Sequence, residues 1–133
     1  MPFTYTDILK LFIVNLNSFL DGIIEQFPNE GDIHIFKLFI NNNIPAKDVV
    51  EKFMLYIDED NKKLRVLISK EDERYFIDEN PLSFLNKNKK DKFGRLWVSG
   101  VLDDEDKQII WKWIHLFVKL GDKYKVALNE ITI

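Results

Sequence analysis

The chain has 133 residues, the length of one domain, and its 46% hydrophobic and 14% aromatic content places it among globular rather than disordered sequences. It has no cysteine, which excludes disulfides and thiolate metal sites and suits a reducing compartment. The net charge of −3 argues against a nucleic-acid binder, which needs a basic face for phosphate. The N-terminal decapeptide has no basic stretch ahead of its apolar residues, so no secretory leader is expected. Residues 8–27 are interrupted by Asn15, Asn17, Ser18, Asp21 and Glu25, too polar a set to enter a bilayer. Abundant Asn, Lys, Ile and Phe beside few Gly, Pro and Ala match an AT-rich coding source.

The first predicted helix runs from Thr6 to about Phe27, capped by Thr4 or Thr6, with Asp7 favourably placed in its first turn. Leu9, Phe12, Leu16, Phe19, Leu20, Ile23 and Phe27 fall on one face, and Pro28 ends the helix. A shorter helix covers Asp32 to Ile40 with Ile33, Phe36, Phe39 and Ile40 inward, and the Asn41-Asn42-Asn43 triplet stops it. A third begins at Pro45 and places Val49, Val50, Phe53, Met54 and Ile57 on one side. Through the polar stretch Asp58 to Lys63 either the helix continues to Ile68 or a turn separates two short helices, and the pattern beyond it is ambiguous. Leu64, Leu67 and Ile68 fit a helix, whereas Leu64, Val66 and Ile68 fit a strand.

Short helices are expected at Glu71 to Ile77 and Phe93 to Val101, around a loop from Asp78 to Lys92. The last strong helix runs from Asp104 to about Leu120. Asp103 caps it, acidic residues fill its first turn, and Gly121 stops it. Residues 122–133 are expected to form a C-terminal tail beyond a core of about 5–121. The fold class is all-α: an irregular bundle of about five to seven helices in a single domain, 1–133.

The chemical motifs resolve mostly into structural roles. Asp103-Asp104-Glu105-Asp106 is the densest carboxylate cluster, and helix capping accounts for it without a metal. Asp58-Glu59-Asp60-Asn61 opens like a calcium loop, but Lys63 and Ser69 stand where that loop requires glycine and an acidic ligand. His34 and His115 are the only histidines, each lacks an obvious local carboxylate orienter, and a histidine-based triad would need a tertiary accident. The five glycines are isolated, so no phosphate loop is present. No catalytic residue, metal or cofactor is expected. Lys87, Lys89, Lys90 and Lys92, flanked by Phe84 and Phe93, could meet phosphate or an acidic partner.

Excess apolar surface is the feature these roles do not absorb. Ile110, Trp113, Ile114, Phe117 and Leu120 make the natural core stripe of the last helix, leaving Trp111 and Val118 on its flank. Leu11 and Val14 lie outside the stripe of the first helix, near the small residues Ser18 and Gly22. Either these helices are buried on two sides or the extra residues meet another protein. Trp111, Val118, Leu11 and Val14 are the partner-binding candidates.

Three short segments resemble a group of small helical proteins of giant nucleocytoplasmic DNA viruses: Phe27-Pro28, Asp72-Glu73-Arg74-Tyr75-Phe76, and Asp103 to Asp106 followed by Ile110-Trp111-Lys112-Trp113-Ile114. The resemblance spans roughly Tyr5 to Gly121. It implies no activity, only a viral protein located in the virion or in the host cell cytoplasm. The resulting expectation is a non-enzymatic interaction or assembly protein whose partner is another protein, viral or host, or a second copy of itself. The alternatives are a host-directed factor binding an amphipathic host helix and a weakly nucleic-acid-associated virion protein.

Overall fold

The computed structural model describes residues 4–85 and 93–131. Among them lie six α-helices and no strand: α1 (Tyr5–Gln26), α2 (Gly31–Asn42), α3 (Ala46–Ser69), α4 (Arg74–Ile77), α5 (Phe93–Trp97) and α6 (Asp104–Ile131), with a 3-10 turn at Ser83–Leu85. The all-α bundle expected from periodicity is the observed architecture. No helix among the described residues is long and apolar enough to cross a membrane.

Each boundary has a local cause. Thr4 and Asp7 form a capping box at the start of α1, the Thr4 Oγ1 accepting from the Asp7 N–H at 3.2 Å and Asp7 Oδ2 from the Thr4 N–H at 3.1 Å. Phe27, held out of helical conformation before Pro28, closes the helix. Ile8, Phe12, Leu16, Phe19, Leu20, Ile23 and Phe27 are buried, so the expected stripe is the core face with Leu9 at its margin. α2 lies against α1 through a reciprocal amide pair between Asn17 and Asn41, at 3.0 and 2.8 Å, and an ion pair between Lys37 and Asp21. Ile33 and Ile40 are buried, but Phe39, expected inward, is exposed. It lies about 100° round the helix from Ile40, beyond the arc that the short helix turns to the core.

The ambiguous stretch after Asp58 is helical. α3 buries Leu64, Leu67 and Ile68 and leaves Val66 exposed, which is helical and not strand spacing. Its two halves are separated at 59–62, where Asp60, Asn61 and Lys62 adopt φ of 51°, 59° and 63°. The second half ends in a Schellman motif: the Asp72 N–H reaches the Leu67 carbonyl at 2.9 Å, the Glu71 N–H reaches Ile68 at 3.0 Å, and Glu71 takes the left-handed position at φ 50°.

The chain departs furthest from expectation at its C-terminal end. Gly121 does not stop α6, and residues 122–131 continue the helix rather than forming a tail. A Cβ on Gly121 would lie 2.1 Å from Met54 Sδ, so this glycine permits the close crossing of α6 over α3. Beyond it Tyr124 is buried, edge-on to Tyr5, and donates its hydroxyl proton to Glu51 Oε2 at 2.8 Å. The extra turns form because α1 and α3 supply a surface for them.

α6 runs between α1 on one side and α3 to α5 on the other. Phe12, Phe19, Phe53 and Phe117 join the three long helices with ring centroids 5.2–6.4 Å apart. A second aromatic cluster lies under α4 and α5, where Phe76 stacks on Trp97 at 4.1 Å and tilts against Trp111 at 4.7 Å.

Candidate interaction surface

The structure separates the four sequence-derived candidates. Trp111 is core, not surface: it is 3% exposed, covered by Tyr75, Phe76 and Trp97. The correction has a simple cause, since α4 and α5 pack on the flank of α6 that periodicity left uncovered. Val118 is half-buried on that core. Leu11 and Val14 remain outward, 36% and 61% exposed. α6 packs against α1 and against α3 to α5, and α1 against α2, α3 and α6, and each keeps an outward arc, with Leu11 and Val14 on α1 and Ile109 and Val126 on α6. Lys87, Lys89, Lys90 and Lys92 fall outside the described residues.

The outward face of α1 leads to a groove. Leu11, Ser18 and Gly22 recur at seven- and four-residue intervals, so they share one helix face, with Val14 beside it. Gly22 lines a cavity of about 180 Å³ between the C-terminal half of α1 and the first turns of α6. Buried Phe19, Ile23 and Ile110 form its floor. Gly22 faces Ile109 and the half-buried Trp113, and Glu25 and Asp106 stand at the rim. Ile109 is 48% exposed, and Leu116, one turn beyond Trp113, is half-buried. The sequence placed Trp113 in the core stripe and Trp111 on its flank; the structure buries Trp111 fully and keeps Trp113 packed on Phe19 and Phe117 with one edge half-buried at the groove.

Gly22 keeps the α1 wall of the groove open. No atom lies within 4 Å of where its Cβ would stand. An interior helical glycine costs about 1 kcal/mol relative to alanine. Gly121 has a packing reason for that cost and Gly22 has none, yet Gly22 notches α1 where a side chain would fill the space beside Trp113.

The groove rim carries carboxylates, set at the N-terminus of α6 and the last turn of α1. Asp103 and Asp106 form the capping box of α6: the Asp106 N–H donates to Asp103 Oδ1 at 2.8 Å, and the Asp103 N–H to Asp106 Oδ2 at 3.2 Å. Capping thus accounts for these carboxylates, as the sequence reading held. Among the described residues neither they nor Glu25, Asp104 and Glu105 pair with a cation. Lys107 turns to the other side of α6, 5.1 Å over the Trp97 ring and 3.9 Å from Glu73.

Other polar groups are engaged in holding the fold. Asp58 and Asp122 share Arg65 in a double fork at 2.7–3.3 Å, and this guanidinium holds the Asp58 carboxyl below the usual carboxylate range. The acidic stretch at Asp58 is thus an ion-pair anchor. His34 reaches the Pro28 carbonyl at 3.2 Å. His115 gains a carboxylate that the sequence could not reveal, Glu71 at 2.8 Å, but both side chains are 40% exposed and line neither cavity described here. The second cavity lies within the aromatic core between Phe12, Phe53, Phe84 and Phe117, and at about 20 Å³ has room for one water at most. Among the described residues no three His, Asp or Glu side chains converge as a metal site requires. α2 carries a further exposed apolar strip, Ile35, Leu38 and Phe39. Comparison of the chain with protein-family profiles, with curated proteins and with solved structures finds no match.

Proposed function

We propose that this is a non-enzymatic binding protein that docks another protein on the outer faces of α1 and α6. The observation that carries the reading is an apolar-floored groove lined by Gly22, Ile109 and Trp113, with Ile109 outward on its α6 wall and Leu11 and Val14 outward on α1 about three and two turns before Gly22. Exposed apolar residues scattered singly are ordinary, but a set flanking a preformed groove is what a binding surface requires. The size of the groove supports a protein partner over a small substrate. Ligand pockets usually span about 300–1,000 Å³, and this one, smaller than that, suits a single side chain. The one histidine–carboxylate pair on an open surface offers no enclosed place for chemistry. The resemblance to giant-virus proteins would set this binding in an infected cell or particle, as a virion component or assembly adaptor.

A photo-crosslinking amino acid placed at Val14 or at Ile109 tests the proposal in the cells that express the protein. Discrete adducts with one protein are expected at both positions and not at the exposed control position Lys47. Equal, diffuse labelling at all three positions would overturn it.

A further inference from the structure

We infer that the groove between α1 and α6 receives a basic amphipathic helix from its partner, with one large apolar side chain seated between Gly22 and Trp113. The inference rests on the binding reading above and adds the partner's chemistry. Shape supplies the first half of the argument. The groove has an apolar floor, a volume of about 180 Å³, and open space where the Gly22 side chain would be. Such a notch accepts the anchor residue of a helix laid along it, with Ile109 on its α6 wall and Leu11 and Val14 farther along the outward arc of α1.

Charge supplies the second half. Glu25 and Asp106 line the groove, and Asp103, Asp104 and Glu105 open the same end of α6, with no cation paired to any of them among the described residues. Several carboxylates elsewhere are ion-paired, Asp58 and Asp122 with Arg65, Asp72 with Arg74, Glu30 with Arg95, Glu79 with Lys63 and Asp21 with Lys37, while the rim gathers its unpaired ones at one end of the groove. α1 has no basic residue in its last turn, so the partial negative charge of its C-terminus adds to Glu25 at the rim. An acidic rim over an apolar floor selects lysine or arginine flanking an apolar anchor and repels an acidic helix.

The test measures binding of fluorescently labelled synthetic helical peptides to the intact protein by anisotropy. One peptide carries lysines around a leucine stripe, a second has glutamate at every lysine position, and a third is the basic peptide with its central leucine changed to alanine. The basic peptide should bind, more weakly as salt rises; its glutamate counterpart should not, and removing the anchor should weaken binding roughly tenfold. Gly22→Leu leaves the charge unchanged and fills a space with no neighbour within 4 Å, so it should fold normally and reduce binding at least as much. Glu25→Lys should weaken the basic peptide alone.

Binding of the basic peptide that survives Gly22→Leu would mean charge attraction without a seated anchor and would overturn the inference. Groove-dependent binding of both basic and acidic peptides would overturn the charge assignment but leave the binding surface standing. Concentration-dependent self-association abolished by Gly22→Leu would overturn it in favour of a second copy of the chain. Crosslinking at Val14 and Ile109 decides the broader reading independently of the peptides.

Discussion

Lys62 sits at φ 63°, ψ 34°, the last of three successive left-handed residues between the halves of α3. Left-handed conformation costs an L-residue about 1–2 kcal/mol, less for asparagine and aspartate. Asp60 and Asn61 tolerate it, whereas Lys62 has no such excuse. The neighbouring ion pairs hold the turn, Lys63 to Glu79 at 2.7 Å and Arg65 to Asp58 and Asp122. Lys62→Gly should therefore raise stability by about 0.5–1 kcal/mol, read as a higher urea midpoint at unchanged slope. A lower midpoint would show that the lysine stem contributes contacts worth more than the strain. Two titrations follow at the same scale. Asp58 is acidified mainly by its hydrogen bonds from Arg65, so its contribution is complete above the ordinary carboxylate range and is lost as pH falls through its lower folded value. Arg65→Lys, unable to fork to two carboxylates, should move the acid-unfolding midpoint upward. Tyr124 is pushed up to about 12 by burial and its bond to Glu51. Its contribution is present below the ordinary tyrosine value of about 10 and is lost as pH rises toward 12. In Tyr124→Phe that alkaline loss should shrink, at a cost of about 1 kcal/mol at neutral pH; phenolate absorbance measures the first and denaturation the second.

At the scale of elements, glycines mark how the helices meet. α5 approaches α4 so closely that a Cβ on Gly94 would stand 2.7 Å from the Phe76 carbonyl oxygen and 2.9 Å from that of Ile77. Gly94→Ala collides with backbone, whereas Gly121→Ala collides with the buried Met54 side chain. Both should destabilise, Gly121→Ala by about 1–3 kcal/mol despite alanine's better helix propensity. Met54→Val should recover part of the Gly121→Ala loss and none of the Gly94→Ala loss, as a double-mutant cycle would show. Trp111→Ala should cost about 3–5 kcal/mol because it empties the space between α4, α5 and α6. Helix identity was legible in the sequence because Phe12, Leu16, Phe19 and Ile23 recur with helical spacing and Thr4, Asp103 and Pro28 punctuate the ends. The fate of Trp111 was not legible. It depends on short segments, Arg74–Ile77 and Phe93–Trp97, with too few residues to show a period and with an address fixed only by tertiary packing. Likewise Gly121 carries a stop signal by type, and only the nearness of Met54 reveals its other use.

For the molecule as a whole, the outward arcs of α1 and α6 set what remains available for binding. α6 is packed by α1 on one side and by α3 to α5 on the other yet leaves Ile109 and Val126 in water, as α1 leaves Leu11 and Val14. The sequence located these two residues correctly outside the core stripe, and Gly22 beside them was the available sign of the groove. It could not locate the other wall, because Trp113 belongs to the core by spacing and its half-buried edge at the groove follows from how α1 and α6 cross. Val14→Asp should leave the thermal midpoint nearly unchanged, since its site is already solvated, while removing crosslinks made through Ile109. A large loss of stability would instead place Val14 within the folding core.

The unequal setting of the tryptophans has an optical consequence. Trp97 and Trp111 are 1% and 3% exposed, enclosed among rings, and the Trp97 indole N–H donates to Glu73 at 3.0 Å. Trp113 alone borders an open groove. A neutral quencher such as acrylamide should therefore extinguish one component of the intrinsic emission readily and leave the rest until the chain unfolds. Replacing Trp113 with phenylalanine should remove the accessible component, and Trp97 and Trp111 would then report global unfolding without interference from the groove. The protein thus carries separate intrinsic fluorophores for occupancy of its surface and integrity of its core, and needs no added label to read either.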